Sequence, residues 1–200
     1  MARTPSDDAG EDTKSTRTRR RIIQSAAHEL ALHGYGGTSL RKVAAGAGLQ
    51  QGSLYFHFDS KDELVAATLE EGILFASDRI NAALDALPDG SPRRRLTVAI
   101  REHIAALYAD HDLGAAVVRM VTTLPDELKR ETLPHEQAYG RLWNGLLRDA
   151  QLAGDIDASI DTRQLSGFVI WGLNSFLETA PGSPDEIAAS VATLLLGPPA

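Results

Sequence analysis

Between Gln50 and Lys61 the chain concentrates hydrogen-bonding side chains of four kinds: the amides of Gln50 and Gln51, the hydroxyls of Ser53 and Tyr55, the imidazole of His57 and the ammonium of Lys61. Amides at this density suit the edges of bases, and hydroxyls, imidazole and ammonium suit phosphate oxygens. Leu49, Leu54 and Phe58 lie between them at about helical spacing, so a short helix would bury these three and turn the polar set outward. Just upstream, Gly48 offers the positive φ that a sharp turn between two helices requires. That division of labour suits a helix-turn-helix whose second helix enters the major groove of DNA.

The surrounding charge points the same way. From Lys14 to Lys61 eight Lys and Arg residues face only Glu29 and Asp59, a local charge of +6, whereas the rest of the chain carries −13 and the whole −7. A basic module on an acidic body draws a polyanion to one end only. Arg17, Arg19, Arg20 and Arg21 form an arm that either grips the phosphate backbone, enters a minor groove or stays hydrated.

Other chemistries find little support. The chain of 200 residues has no cysteine, which excludes disulfides, thiolate catalysis and cysteine-bound metals. Gly46-Ala-Gly48-Leu-Gln-Gln-Gly52 approaches a dinucleotide fingerprint, but its last glycine is one residue late and a helix precedes it where a strand is needed. His135-Glu136 begins like a zinc-protease motif, yet position 139 is Tyr. No Gly-x-Ser-x-Gly elbow occurs, and neither a catalytic set, a metal site nor a cofactor is expected. No apolar run nears the roughly 18 residues of a membrane span, and the polar N-terminus resembles no signal peptide, so a cytoplasmic location without a membrane partner is expected.

The elements that must hold these groups read as all-α, with about nine helices and no β-like alternation. Residues 1–14 read as a disordered tail, 15–62 as the helix-turn-helix domain and 63–200 as a second, larger domain. A first helix is expected from about Thr16 to His33, stopped by Gly34, and a second short one N-capped by Thr38. Ser60-Lys-Asp-Glu63 reads as a capping box for a helix from Lys61 to about Leu87, ended by Pro88-Asp-Gly90. Further helices are expected from Ser91-Pro92 to about Asp110, Gly114 to Thr123 and Pro134 to Ala153. Another starts behind Asp161, and the last behind a second capping box at Ser183-Pro-Asp-Glu186.

With Thr38, Val43-Ala44, Ala47-Gly48, Gly52-Ser-Leu54-Tyr55, His57-Phe58, Ser60-Lys61 and Leu64 in this order, the segment of about residues 16–65 resembles the DNA-binding domain of TetR-family transcriptional regulators. The resemblance implies a ligand-responsive DNA-binding regulator, a repressor acting on a palindromic operator, with no enzymatic activity. It implies that Tyr55, His57 and Lys61 meet phosphates, with Thr38 and Gly52 at the same surface. For His57 a half-buried hydrogen-bonded role stands beside the phosphate one. Gln50 departs from the family, which places Ser or Thr there. Gln is a poor N-cap, but with Gln51 it offers either two amides to adenine edges or contacts to phosphate and water.

The resemblance further implies that the remainder senses a small molecule and forms a homodimer through its last two helices. The residues agree: the helix after Asp161 is apolar nearly all round and needs covering on more than one side. Leu165, Val169, Phe176, Ile187, Val191, Leu194 and Leu195 are the expected dimer contacts. Two-fold symmetry would place half-sites roughly 34–36 Å apart or a multiple of this. A pocket for a mostly hydrophobic, unidentified effector is expected among His103, Leu107, Val117, Met120, Val121, Tyr139, Trp143, Phe168, Trp171 and Asn174. Each apolar member of that set has core packing as its other reading; the polar members need a partner inside.

Overall fold

A computed structural model of the chain describes residues 14–87, 90–179 and 182–198. The expected tail therefore lies outside the described residues except for Lys14, which already belongs to the first helix, and so do Pro88 and Asp89 of the expected break. Among the described residues all regular structure is helical: α1 Lys14–Gly37, α2 Leu40–Gly46, α3 Gln51–Leu54, α4 Lys61–Asp85, α5 Pro92–Ala109, α6 His111–Thr123, α7 Asp126–Leu152, α8 Thr162–Thr179 and α9 Pro184–Leu196.

Three apolar clusters follow one another, and α4 runs through all of them. Leu64 at its start joins Ile22, Ile23, Val43, Leu54 and Phe58 from α1, α2 and the α3 turn. On the adjoining face, Val65 and Leu69 join Ala27 and Leu30 of α1 with Leu113, Ala116 and Met120 of α6. Further along, Ile73, Ile80 and Leu84 enter the main core with Leu96, Ile100 and Ile104 of α5, Trp143 and Leu147 of α7, Leu173 of α8 and Ile187 of α9. At 25 residues and 1.5 Å per residue, α4 spans about 37 Å. Full burial of each large apolar side chain in these clusters contributes about 1.5–3 kcal/mol.

Helix ends explain most boundaries and the departures from expectation. Gly34, at φ 65°, interrupts α1, and the Thr38 amide and hydroxyl both donate to its carbonyl, at 3.1 and 2.7 Å. Thr38 is therefore buried behind the turn and is not the N-cap of α2; Ser39 holds that position without a side-chain bond. At α4 the Ser60 hydroxyl accepts from the Glu63 amide at 3.0 Å, but the Glu63 carboxylate reaches past Ser60 to the Asp59 N–H at 2.6 Å. The capping box at Ser183 and Glu186 is complete. α6 starts three residues earlier than expected because Asp110 caps the Leu113 amide. α7 starts eight residues earlier, behind Pro125 with Asp126 and Glu127 in its first turn, where carboxylates suit the helix dipole. Buried Leu128 anchors these early turns, which offsets the helix bond that Pro134 cannot make.

Candidate nucleic-acid interface and internal cavity

The turn between α2 and α3 is held from α1 through its backbone carbonyls, which leaves its own side chains to face outward. Gly48 takes φ 68°, and the Arg21 guanidinium of α1 donates to the Ala47 carbonyl just before it. A Cβ on Gly48 would lie 2.7 Å from that guanidinium, so glycine serves both the turn and its clamp. Arg21 is thereby a structural brace. The Ser25 hydroxyl adds a second link to the Val43 carbonyl at 2.9 Å. With Leu54 and Phe58 buried beneath, Gln50, Gln51, Gly52 and Tyr55 stand exposed, and Ser53 and His57 are half-buried. Gln50 is the N-cap of α3 without a side-chain bond, so its amide is not spent on the helix end.

Arg17, Arg19 and Arg20 are exposed along α1, and the Arg19 guanidinium lies 5.0 Å from the Phe58 ring centre. Lys61 differs from the expected free ammonium: its Nζ donates to the Tyr35 carbonyl at 2.5 Å and sits 4.6 Å from the Tyr35 ring centre. Tyr35 in turn donates to the Asp62 carboxylate at 2.6 Å, so the end of α1 is latched to the start of α4. Phe56, which the sequence reading passed over, is 90% exposed beside Tyr55. Its signal was the one apolar position in the stretch that falls off the Leu49, Leu54, Phe58 stripe.

The second feature is a cavity of about 230 Å³ bounded by α4, α5, α6, α7 and α8. His103, Leu107, Val117, Tyr139, Trp171 and Asn174 line it as expected. Ile73, Phe75, Leu113, Glu136 and Ile170 also line it; their helical stripes read equally well as core in the sequence. Met120 borders a smaller neighbouring void, Trp143 is fully buried in the core behind the wall, and Phe168 points outward at 68% exposure. The side chain of Val121 lies outside the described residues.

The polar groups of the cavity form one chain. His103 Nδ1 is 2.6 Å from the Tyr139 hydroxyl, and His103 Nε2 is 3.0 Å from Asn174 Oδ1. Burial pushes the His103 imidazole down to about 4, against a smaller opposing effect of the Asn174 bond, so the ring is neutral at pH 7. Asn174 Oδ1 accepts only, so Nε2 carries the single ring proton and Tyr139 donates to Nδ1. Burial raises the Tyr139 phenol, which therefore keeps its proton. The Trp143 indole N–H is directed at the Tyr139 oxygen but falls short of a hydrogen bond of normal geometry.

α8 and α9 leave a further apolar surface. Phe168, Trp171 and Leu194 are 68%, 66% and 85% exposed, while Leu165, Phe176, Val191 and Leu195 are partly buried against the core. Val169 and Ile187 depart from expectation: both are buried within the chain's own core, on the inner side of the helices, and are not available to a partner.

Residues 22–68 match the family model described as bacterial regulatory proteins, tetR family, and residues 89–198 match the tetracyclin repressor-like C-terminal domain. The chain belongs to the TetR family. It is thus a regulator of the helix-turn-helix class, with the family's two parts in the family's order. Among relatives of this TetR-family regulator, the HTH-type transcriptional repressor KstR2 of Mycolicibacterium smegmatis is 27% identical over 195 residues, covering 93% of each chain. The fatty acid metabolism regulator protein of Bacillus subtilis is 23% identical over 142 residues, covering 71% of this chain and 72% of its own. Among solved structures, AibR in complex with isovaleryl coenzyme A and operator DNA superposes with a TM-score of 0.76 at 20% identity, over 90% of this chain and 99% of that one. At that identity the likeness is one of fold.

Proposed function

We propose that this TetR-family regulator is a ligand-responsive repressor that leaves a palindromic operator when a small, mostly apolar effector enters the α4–α8 cavity. The observation that carries this reading is the position of the cavity. Its walls include Ile73 and Phe75 of α4 and Leu113 and Val117 of α6, and the same two helices grip α1 through Val65, Leu69, Ala116 and Met120. Gly72 brings α4 and α6 so close that a Cβ there would lie 2.5 Å from Val117. A ligand that favours a different α4–α6 spacing therefore acts on α1 and, through Leu64, on the helix-turn-helix. Two ligand affinities for two spacings are the thermodynamic requirement.

In this reading residues 15–62 form the DNA-binding domain and 63–200 the sensing and dimerising one. Gln50, Gln51, Gly52 and Ser53 face the major groove, with Arg17, Arg19, Arg20, Tyr55, His57 and Lys61 toward phosphates; Lys61 exchanges the Tyr35 carbonyl for a phosphate oxygen. Thr38 supports the turn from behind. A second copy covers Phe168, Trp171 and Leu194 through α8 and α9, with Leu165, Phe176, Val191 and Leu195 at the margin of the contact. The role is regulatory, exercised in the cytoplasm, and not catalytic. One relative is by name a fatty acid metabolism regulator and one neighbouring structure holds isovaleryl coenzyme A with operator DNA, which supports an apolar effector.

The test is selection of bound DNA from a random pool, repeated with candidate metabolites. A palindrome recovered without ligand and lost with one is the expected result. Failure of the purified protein to retard its selected or upstream DNA at low salt would sink the proposal.

A further inference from the structure

The polar chain Tyr139–His103–Asn174 leaves one donor group unspent at the wall of the cavity. The Tyr139 proton is committed to His103 Nδ1 and the His103 proton to Asn174 Oδ1. Asn174 Nδ2, with two donor hydrogens, has no hydrogen bond among the described residues, and Asn174 lines the cavity. The site thus offers the occupant an uncharged N–H donor. The remaining wall is almost wholly aliphatic and aromatic, with the Glu136 carboxylate, held by the Thr132 hydroxyl at 2.9 Å, as its one charged group. Among the described residues neither Lys nor Arg lines it. Lys129 borders the neighbouring small void and pairs with Asp126 at 3.4 Å.

From this geometry we propose that the cavity selects an apolar effector through a neutral carbonyl, a ketone or thioester whose oxygen accepts from Asn174 Nδ2, and discriminates against the free carboxylic acid. This rests on the reading of the cavity as the effector site. A carboxylate buried here would meet one neutral donor and a like charge on Glu136, with no cation to offset its lost hydration. His103 cannot supply that cation, because burial holds the imidazole neutral at pH 7. A carbonyl loses far less hydration and recovers its hydrogen bond at Asn174. A coenzyme A thioester would place only its acyl end and thioester carbonyl here, its phosphates remaining outside a wall that has no cation for them. By proportion to a dry cavity of ~150 Å³ that holds one benzene, a cavity of about 230 Å³ takes on the order of nine to ten non-hydrogen atoms.

The experiment is calorimetry on the full chain at pH 7.5 with four probes: naphthalene, 2-nonanone, nonanoyl-CoA and nonanoate. The expected result is that 2-nonanone or nonanoyl-CoA binds at least about tenfold more tightly than nonanoate. Asn174→Leu should weaken ketone binding about three- to tenfold and leave naphthalene binding in place. Asn174→Asp, which keeps the shape but loses both donor hydrogens, should weaken the ketone as well. Tighter binding of nonanoyl-CoA than of the ketone assigns the carbonyl to a thioester, and the reverse assigns it to a ketone. Nonanoate binding as well as the ketone, or a ketone affinity indifferent to both Asn174 variants, overturns the proposal while the cavity keeps its role. Absence of binding by all four, naphthalene included, removes the effector site itself.

Discussion

On the recognition turn the amides of Gln50 and Gln51 and the hydroxyl of Tyr55 are exposed to water, whereas around the cavity Tyr139, His103 and the Asn174 side-chain carbonyl are spent on one another. The first arrangement suits a highly charged, hydrated partner whose binding releases counterions and weakens with salt. The second suits a neutral partner, because a buried network tolerates no net charge without a compensating one. One helix joins them: α4 contributes Leu64 to the head and Ile73 to the body, so each site is felt by the other through packing rather than through charge. Two binding chemistries are thus kept apart electrostatically and coupled mechanically.

The largest effects should come from breaking the two cores separately. Trp143 and Phe58 are fully buried, in the body and the head respectively. Replacing either with Ala is expected to cost about 3–5 kcal/mol by urea denaturation. If the sites are packed apart, Phe58→Ala removes operator binding and leaves ligand binding, read by calorimetry, unchanged. Trp143→Ala, whose ring meets His103 edge-on at 5.8 Å between centres, removes ligand binding. Loss of both activities in both variants would show a single cooperative unit and break the comparison.

Proton linkage should separate the regions next. The His103 imidazole is pushed down to about 4 by burial, against an ordinary value of about 6.5 in the unfolded chain. Between those values the unfolded chain takes up a proton that the folded chain refuses. Stability is therefore full above about pH 6.5, falls as the pH drops toward about 4, and levels off below it, by about 3 kcal/mol in all for this group. Urea midpoints at pH 7 and pH 4.5 measure the fall, and His103→Gln should remove most of it. A variant with the same pH dependence as the parent would show that His103 is not the group responsible.

What was legible in the sequence divides along the same line. Helix starts marked by a side chain that satisfies an orphan amide, Asp161 and Ser183 among them, lie where the residues place them. The surface of the recognition turn was readable because its apolar residues are few and regularly spaced, which forces the polar ones outward. The start of α7 was not, since Pro134 reads locally as a boundary and only the burial of Leu128, in the cluster that also holds Val65 and Leu69 of α4, overrides it. The cavity was legible only in part. Tyr139 and Trp143 lie four residues apart on one helix, yet one lines the cavity and the other fills the core behind it. Val169 and Ile187 show the same limit, because an apolar side chain at helical spacing does not say whether it meets its own chain or a second copy. Phe168 carries the outer side, whereas Trp171 is exposed and lines the cavity as well.

Salt offers a smaller but cleaner separation. Operator affinity should fall steeply and linearly on a log–log plot against salt, while ketone affinity stays flat. Lys61→Ala should reduce the slope of the first by about 0.9, the share of one phosphate contact. Since Lys61 bonds to the Tyr35 carbonyl in the free protein, an unchanged slope would mean that the ammonium stays on Tyr35 in the complex and braces the head instead of gripping DNA. Equal salt slopes for DNA and ligand would mean that charge reaches the cavity after all.

The smallest expected effect concerns the residue at which the recognition helix begins. Gln50 occupies the N-cap of a helix only four residues long and makes no side-chain bond to it, so that end of α3 forgoes the stabilisation a Ser would provide. Gln50→Ser should therefore raise stability by about 0.5–1 kcal/mol in urea denaturation, with Ser accepting from an amide of the first turn. The same change removes an amide that reaches beyond the helix end, so DNA selected from a random pool should lose its preference at one base pair of each half-site. A gain in stability joined to a loss of discrimination would show that local stability is exchanged for base reading at this position. A gain in stability with the selected site unchanged would place Gln50 on phosphate or water and leave sequence reading to Gln51 and its neighbours.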